Sequence, residues 1–289
     1  MSVEKRDTVV VDGMALASEL RERLAREVSD LVADGRRAPR LAVVLVGDNP
    51  ASASYIKGKR RACARAGIDS LEEDLPESAT EAQVLAVIER LNADPGVDGI
   101  LVQLPLPKQI RALVVTEATS PEKDVDGLHT QNAGRLLAGL PGLRPCTPLG
   151  ILEVLARHRV PIEGANAVVI GRSILVGKPI ALLLLERNAT VTMCHSRTRD
   201  LAAVCREADI LVAAAGSPLL VKGDWIKPGS AVIDLGVNVI DGRQTGDVDF
   251  DAALGVAGLL TPSRGGVGPL TITMLLHNTL QAYRRRMAP

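Results

Sequence analysis

Six short, continuous apolar runs, at 41–46, 100–103, 167–170, 189–194, 210–214 and 231–235, alternate along this chain with segments of helical period at 14–33, 52–66, 81–92, 149–158, 180–186, 201–207 and 271–285. Runs that are apolar throughout, rather than at every second position, suit strands covered on both faces, and the intervening helices supply the cover. Such alternation builds βαβ units, so an α/β fold with mostly parallel sheets is expected. A chain of 289 residues has room for two domains, each with its own core. The stretch 121–148, rich in Gly, Pro, Asp and Asn, is the expected boundary, with a hinge near 145–148 and a cleft separating the domains. The last helix is amphipathic enough to pack back on the first domain. The expected division is therefore 1–147 plus 270–289 as one discontinuous domain and 148–269 as the other.

Lysine and arginine number 34, as do aspartate and glutamate, so no global field argues for nucleic acid or an anionic membrane as partner. The aromatic residues are Tyr55, Trp225, Phe250 and Tyr283 alone, which leaves almost nothing for base stacking. No apolar run approaches the ~20 residues of a membrane span. Cys63, Cys146, Cys194 and Cys205 have no Cys-x-x-Cys spacing, and residues 1–11 do not resemble a signal peptide. The cysteines read as reduced thiols of a cytoplasmic protein, and no metal site is expected. In the adjacent pair Cys194-His195 the side chains point to opposite faces of a strand end, which suits a buried thiol beside a loop histidine.

The run 167–170 breaks into Gly171-Arg172-Ser173-Ile174-Leu175-Val176-Gly177-Lys178-Pro179 and then into an aliphatic segment. A strand, a glycine turn and a helix N-terminus aim backbone N–H groups at one point, where a pyrophosphate would sit. The Gly-x-Gly-x-x-Gly spacing is not met: Ser173 takes the second glycine position and Gly177 comes one residue late. The strand-to-helix context carries the reading of a Rossmann-type dinucleotide-binding domain. After the next strand, where an acid would bind the 2′-hydroxyl of NAD, the chain reads His195-Ser196-Arg197-Thr198. Hydroxyl and guanidinium groups suit a phosphate dianion, which favours NADP over NAD. The alternative is that Arg172 and Arg197 are solvated loop charges.

In the helix 52–66, Tyr55, Ile56, Ala62, Cys63 and Ala66 form one small or apolar face, with Lys57, Arg60, Arg61 and Arg65 opposite. Lys59 falls on the apolar face. It must snorkel out, pair with an acid, or lower its pKa by desolvation, and the last two are the behaviour of a functional amine. Gln103 stands at the C-terminal end of an apolar strand, the edge where α/β ligand sites form, and its amide can orient an amine or a water. Lys123-Asp124-Val125-Asp126-Gly127 adds two carboxylates in an irregular loop: one pairs with Lys123 or serves the structure, and one facing a cleft can accept two parallel bonds from a guanidine-like ring.

Taken together and in order, Tyr55-x-x-x-Lys59, Gln103-Leu104-Pro105-Leu106-Pro107, Lys123 to Gly127, Pro145-Cys146-Thr147-Pro148, Gly171-Arg172-Ser173 through Gly177-x-Pro179, Gly246-Asp247-Val248-Asp249-Phe250 and Gly265-Gly266-Val267-Gly268-Pro269 resemble the bifunctional methylenetetrahydrofolate dehydrogenase/methenyltetrahydrofolate cyclohydrolase family over nearly the whole chain. The resemblance implies NADP-dependent oxidation of 5,10-methylene-tetrahydrofolate, hydrolysis of the methenyl product to 10-formyl-tetrahydrofolate, and a place in one-carbon metabolism and purine biosynthesis. By the same resemblance Lys59 is the catalytic lysine, oriented by Gln103 and Tyr55, with Tyr55 also stacking on the aminobenzoyl ring and Asp126 holding the pterin. It further implies that Gly171, Arg172, Ser173, Ser196 and Val237 contact NADP, that Gly268 and Pro269 border the folate, and that the chain is a homodimer. Ser263-Arg264 and Leu270 depart from the residues more usual at those places. Two rivals stand beside this reading: a dehydrogenase of another small substrate without cyclohydrolase activity, and a non-catalytic NADP-binding module in which Tyr55 and Lys59 only pack.

Overall fold

The structure, a computed structural model, describes residues 7–47 and 50–287; the side chains of 50–57 lie outside the description. In chain order the elements are β1 (Val9–Val10), α1 (Gly13–Ala33), β2 (Arg40–Val46), α2 (Pro50–Ala66), β3 (Asp69–Leu75), α3 (Glu81–Ala93), β4 (Gly99–Val102), α4 (Ala112–Ala118), α5 (Thr130–Leu137), α6 (Cys146–Arg157), β5 (Asn166–Ile170), α7 (Gly177–Leu185), β6 (Thr190–Cys194), α8 (Leu201–Arg206), β7 (Ile210–Ala213), β8 (Ala231–Asp234), β9 (Asn238–Ile240), β10 (Arg243–Thr245), α9 (Phe250–Ala253), β11 (Leu259–Leu260) and α10 (Gly268–Met287). The chain divides into two units. One runs to Ala17 and takes up Thr147–Thr271; the other holds Ser18–Cys146 and the chain from Ile272 on.

The unit containing Thr147–Thr271 is built on a six-stranded parallel sheet in the order β1-β11-β8-β7-β5-β6. All four residues of β7 and of β8 are buried, as continuous apolar strands must be when both faces are covered. Val168, Ile170, Leu211, Ala213, Val232 and Leu260 form the core of one face, with Cys194 and Cys205 among them and Trp225 and Phe250 packed at its margin. All four cysteines are buried and free. From β5 the chain passes to β6 on one side and to β7 on the other, so the order reverses at β5, and in such sheets ligands bind in the crevice at that reversal. The N-terminal residues, expected with the first domain, pair here: Val9 with Leu259 and Val10 with Leu260.

The second unit is built on a three-stranded parallel sheet, β3-β2-β4. Helix α3 closes one face with Val84, Ile88 and Leu91, spaced to share one helical stripe and all fully buried. Its start is fixed by a capping box, in which the Thr80 side chain accepts from the Gln83 N–H and the Gln83 side chain accepts from the Thr80 N–H. Each such aliphatic side chain contributes roughly 1.5–3 kcal/mol by leaving water. The edge strand β3 reads Asp-Ser-Leu-Glu-Glu-Asp-Leu; its charges keep an open sheet edge soluble and erase the apolar signal of a strand.

Candidate active site

Helix α2 buries Ala62, Cys63 and Ala66 and leaves Arg60, Arg61 and Arg65 in water, so the division of faces expected from its period is realised in these residues. Arg60 is held outward by Glu72 of β3. Lys59, on the buried face, is only 5% exposed. Its Nζ donates to Gln103 Oε1 at 2.7 Å. Gln103 follows β4 directly; its N–H donates to the Val44 carbonyl at 2.9 Å and its Nε2 to the Leu104 carbonyl at 2.6 Å. With the amide nitrogen engaged there, the oxygen faces the lysine. Burial lowers the Lys59 pKa to about 8, against the opposing pull of the Asp126 charge. The side chain of Tyr55 lies outside the described residues.

The loop after β4 separates residues that spacing alone left equivalent. Lys123 Nζ donates to the carbonyls of Leu91, Asn92 and Asp94 at 3.0, 2.8 and 2.7 Å, closing the C-terminal end of α3, where carbonyls lack helical partners. Asp124 accepts from the N–H groups of Leu128 and His129 and from Asn132 Nδ2. Both residues therefore serve the loop. Asp126 remains: it is half-buried, and burial raises its pKa to about 6 in spite of the nearby Lys59 charge. Next to it, Gly127 has φ +71° and a Cβ there would stand 2.4 Å from the Arg144 carbonyl carbon, so only glycine fits. The Cys146 thiol donates to the Val125 carbonyl at 3.3 Å and is pushed well up by burial, with the Asp126 charge adding to the shift. No role was assigned to Cys146 by sequence reasoning. Lys59, Gln103 and Asp126 are thus brought into one electrostatic cluster within a single unit.

In the other unit, Gly171 ends β5 with φ +121°, and a Cβ there would fall 2.2 Å from the carbonyl oxygen of Ala214, just past β7. Gly177, which opens α7, is equally constrained, since its Cβ would stand 2.3 Å from the Gly171 oxygen. These contacts explain the unusual spacing: the second essential glycine is the one that packs helix against strand. Ser173, in the remaining position, uses its Oγ to accept from the N–H groups of Val176 and Gly177. Arg172, Ser196 and Val237 are exposed, and Arg172 has no acidic partner among the described residues. An exposed guanidinium and an exposed hydroxyl following two adjacent strands of the reversal are a donor set that fits a ribose 2′-phosphate. Gly268 and Pro269 open α10; Gly268 is exposed, with open space where a Cβ would be.

Two further carboxylates shape this end of the sheet. Asp247 accepts from the N–H groups of Ala215, Gly216 and Ser217 at 2.6, 2.9 and 2.9 Å, and from Asn238 Nδ2 at 2.9 Å, tying down the loop after β7. Asp234 accepts from the N–H groups of Gly236, Asp247 and Val248, and burial raises its pKa to about 6. Gly246 makes this possible, because a Cβ there would strike Asp234 Oδ2 at 1.7 Å. The Gly246-Asp247-Val248 motif in the sequence was the visible trace of this arrangement.

Residues 145–287 match the family model described as the tetrahydrofolate dehydrogenase/cyclohydrolase NAD(P)-binding domain, and residues 11–126 match that of the tetrahydrofolate dehydrogenase/cyclohydrolase catalytic domain. The bifunctional protein FolD of Burkholderia thailandensis is 55% identical over 280 residues, which cover 96% of this chain and 98% of that protein. The solved structure of the bifunctional enzyme FolD from Campylobacter jejuni has a TM-score of 0.94 at 44% identity, covering 97% of this chain and 100% of that one. The methylenetetrahydrofolate dehydrogenase-cyclohydrolase of Trypanosoma brucei, solved in complex with NADP cofactor and inhibitor, has a TM-score of 0.93 at 38% identity and covers 98% of this chain and 100% of its own.

Proposed function

The chain belongs to the tetrahydrofolate dehydrogenase/cyclohydrolase family, and from that membership we propose how its residues divide the chemistry. The protein is a bifunctional folate enzyme: it oxidises 5,10-methylene-tetrahydrofolate to the 5,10-methenyl form with NADP, and hydrolyses that product to 10-formyl-tetrahydrofolate. NADP, when bound, supplies the hydride acceptor. Gly171, Ser173 and the start of α7 would hold its pyrophosphate, Arg172 and Ser196 its 2′-phosphate, and Val237 an apolar edge.

Oxidation asks the protein mainly for alignment, because the nitrogens flanking the methylene carbon push the hydride out. Hydrolysis asks for more. Water adds to the cationic methenyl carbon and loses a proton; the bond from that carbon to N5 then breaks as N5 gains one, and the remaining hydroxyl proton leaves to solvent as the formyl C=O forms, so one proton is released overall. Neutral Lys59, held by Gln103 Oε1, takes the proton from water and returns it to N5. Asp126 accepts paired N–H bonds from the pterin ring, which draws its charge away from Lys59; together with the cation beside it, this lowers the lysine's pKa further. The observation that carries this reading is a lysine 5% exposed, bonded to one amide oxygen and within the field of one carboxylate. Tyr55 stacks on the aminobenzoyl ring, and Gly268 and Pro269 border the folate.

The division proposed is a folate-binding domain of 1–147 plus 270–289 and an NADP-binding domain of 148–269, except that β1, which pairs with β11, goes with the NADP-binding domain. Among the described residues no helix is long and apolar enough to cross a membrane, and a cytoplasmic site, supplying one-carbon units to purine biosynthesis, is part of this proposal. So is a homodimer: Val239 of β9 is 73% exposed and Ile240 is 38% exposed, apolar surface suited to a second copy. Following NADPH and methenyl absorbance together tests the whole reading. Lys59→Ala should abolish hydrolysis of the methenyl substrate, and full retention of hydrolysis would remove Lys59 from the mechanism.

A further inference from the structure

Asn278, on α10, is 3% exposed and directs its Nδ2 at three acceptors: the Val125 carbonyl at 2.8 Å, the Arg144 carbonyl at 2.8 Å and Cys146 Sγ at 3.6 Å. An amide NH2 has two protons, and the two carbonyls are the shorter contacts. These carbonyls belong to two backbone segments that meet at Asp126. Val125 directly precedes Asp126 and also receives the Cys146 thiol. Gly127 directly follows and is pressed against the main chain of Arg144 and Pro145. The Val125 side chain fills the space where a Cβ on Gly99 would sit, 2.5 Å away, with Thr279 of α10 bordering the same space. The main chain of Asp126 is thus fixed from both sides, while its carboxylate stays half-open.

Nothing in this arrangement places Asn278 against a substrate; its partners are the backbone that carries Asp126. We propose that Asn278 is a positioning residue, which by joining the Val125 and Arg144 carbonyls sets the direction in which Asp126 offers both oxygens to the pterin ring. The proposal rests on the reading of Asp126 as the pterin acceptor. Two parallel N–H bonds require both carboxylate oxygens in line with their donors, so a modest tilt of the turn weakens the pair. Removal of the amide takes from the Val125 and Arg144 carbonyls the donor they share, leaving Val125 the weaker Cys146 thiol, and the turn relieves this by rotating. NADP binding, assigned to residues of the other unit, has no such dependence.

The experiment measures KM for methylene-tetrahydrofolate, Kd for NADP and Tm in Asn278→Leu, in the milder Asn278→Ser, and in both combined with Asp126→Asn. Asn278→Leu should raise the folate KM by about tenfold with NADP Kd unchanged, and Asn278→Ser should fall between it and the parent. In the Asp126→Asn background the same substitutions should change KM by less than about twofold, because no aligned carboxylate remains to be lost. An unchanged KM in folded Asn278→Ser and Asn278→Leu would overturn the proposal. So would a full KM effect that persists in the Asp126→Asn background, which would show a general role in folding. If Asp126→Asn alone leaves the folate KM at the parent value, the reading of Asp126 fails first; that single variant tells the two failures apart.

Discussion

Lys59 and Gln103 are joined by a 2.7 Å hydrogen bond in which the amide can offer only its oxygen, since the amide nitrogen is committed to the Leu104 carbonyl. The bond therefore directs the amine without adding a charge to it. Replacement by a carboxylate keeps the acceptor and adds the charge. In Gln103→Glu the Lys59 ammonium gains an anionic partner, so its pKa moves up from about 8, and the rise of hydrolysis with pH should shift to higher pH by about one unit. Rates of methenyl hydrolysis across pH 6 to 10 check this; an unmoved or acid-shifted profile counts against neutral Lys59 as the base.

Asp126 is held in its less comfortable state at neutral pH. Its folded pKa of about 6 lies above the ordinary carboxyl value of 3.8, so between those values the native state binds more protons than the unfolded one, and stability falls as pH rises through that window. Asp126→Asn removes the ionisable group. At pH 7 the variant should be more stable by roughly 1 kcal/mol after allowing for solvent, or roughly 2–4 °C in Tm, while its folate KM rises. Thermal unfolding at pH 4 and pH 7 tests the sign, since the advantage should vanish at the lower pH.

Arg172 and Ser196 should discriminate between cofactors. Arg172→Ala combined with Ser196→Ala is expected to weaken NADP binding by roughly 10–100-fold and NAD binding by less than about threefold, because only the phosphate needs charge-assisted donors. Fluorescence titration with both nucleotides decides, and equal losses would reject a 2′-phosphate site.

Gly171→Ala should damage the same site through the backbone. At φ +121° with a Cβ 2.2 Å from the Ala214 oxygen, any side chain forces β5 and the segment after β7 apart. The expected outcome is a fall in Tm and at least about a tenfold loss of NADP affinity, with folate binding far less affected. Calorimetry with each ligand separates these effects.

The parallel sheets were legible because β2, β4, β5, β7 and β8 are apolar over all but at most a terminal residue, a pattern suited to two-sided burial. Strand β3 was not, since an edge strand held by its pairing to β2 can be nearly all charge. The two residues of β1 and the hairpin of β9 and β10 are too short to carry a period. Lys59 was legible because helical period alone puts it among Ala62, Cys63 and Ala66. The separate tasks of Lys123, Asp124 and Asp126 were not, since they depend on what α3 and α5 bring to the loop. Asn278 lies 153 residues from Val125 and 132 from Cys146, and no local pattern reports a contact of that range.

Lys123 closes α3 from within the same five residues that present Asp126. The end of a core helix and the orientation of the carboxylate proposed to hold the pterin are therefore one mechanical element, joined through three peptide bonds. Disturbances of α3 packing, at Ile88 or Leu91, should then be transmitted to folate affinity before they reach the proton-transfer step, which hangs from β4 and α2. On the proposed roles of Asp126 and Lys59, KM should gauge how well the small sheet's helix is seated, and kcat for hydrolysis should gauge a different joint.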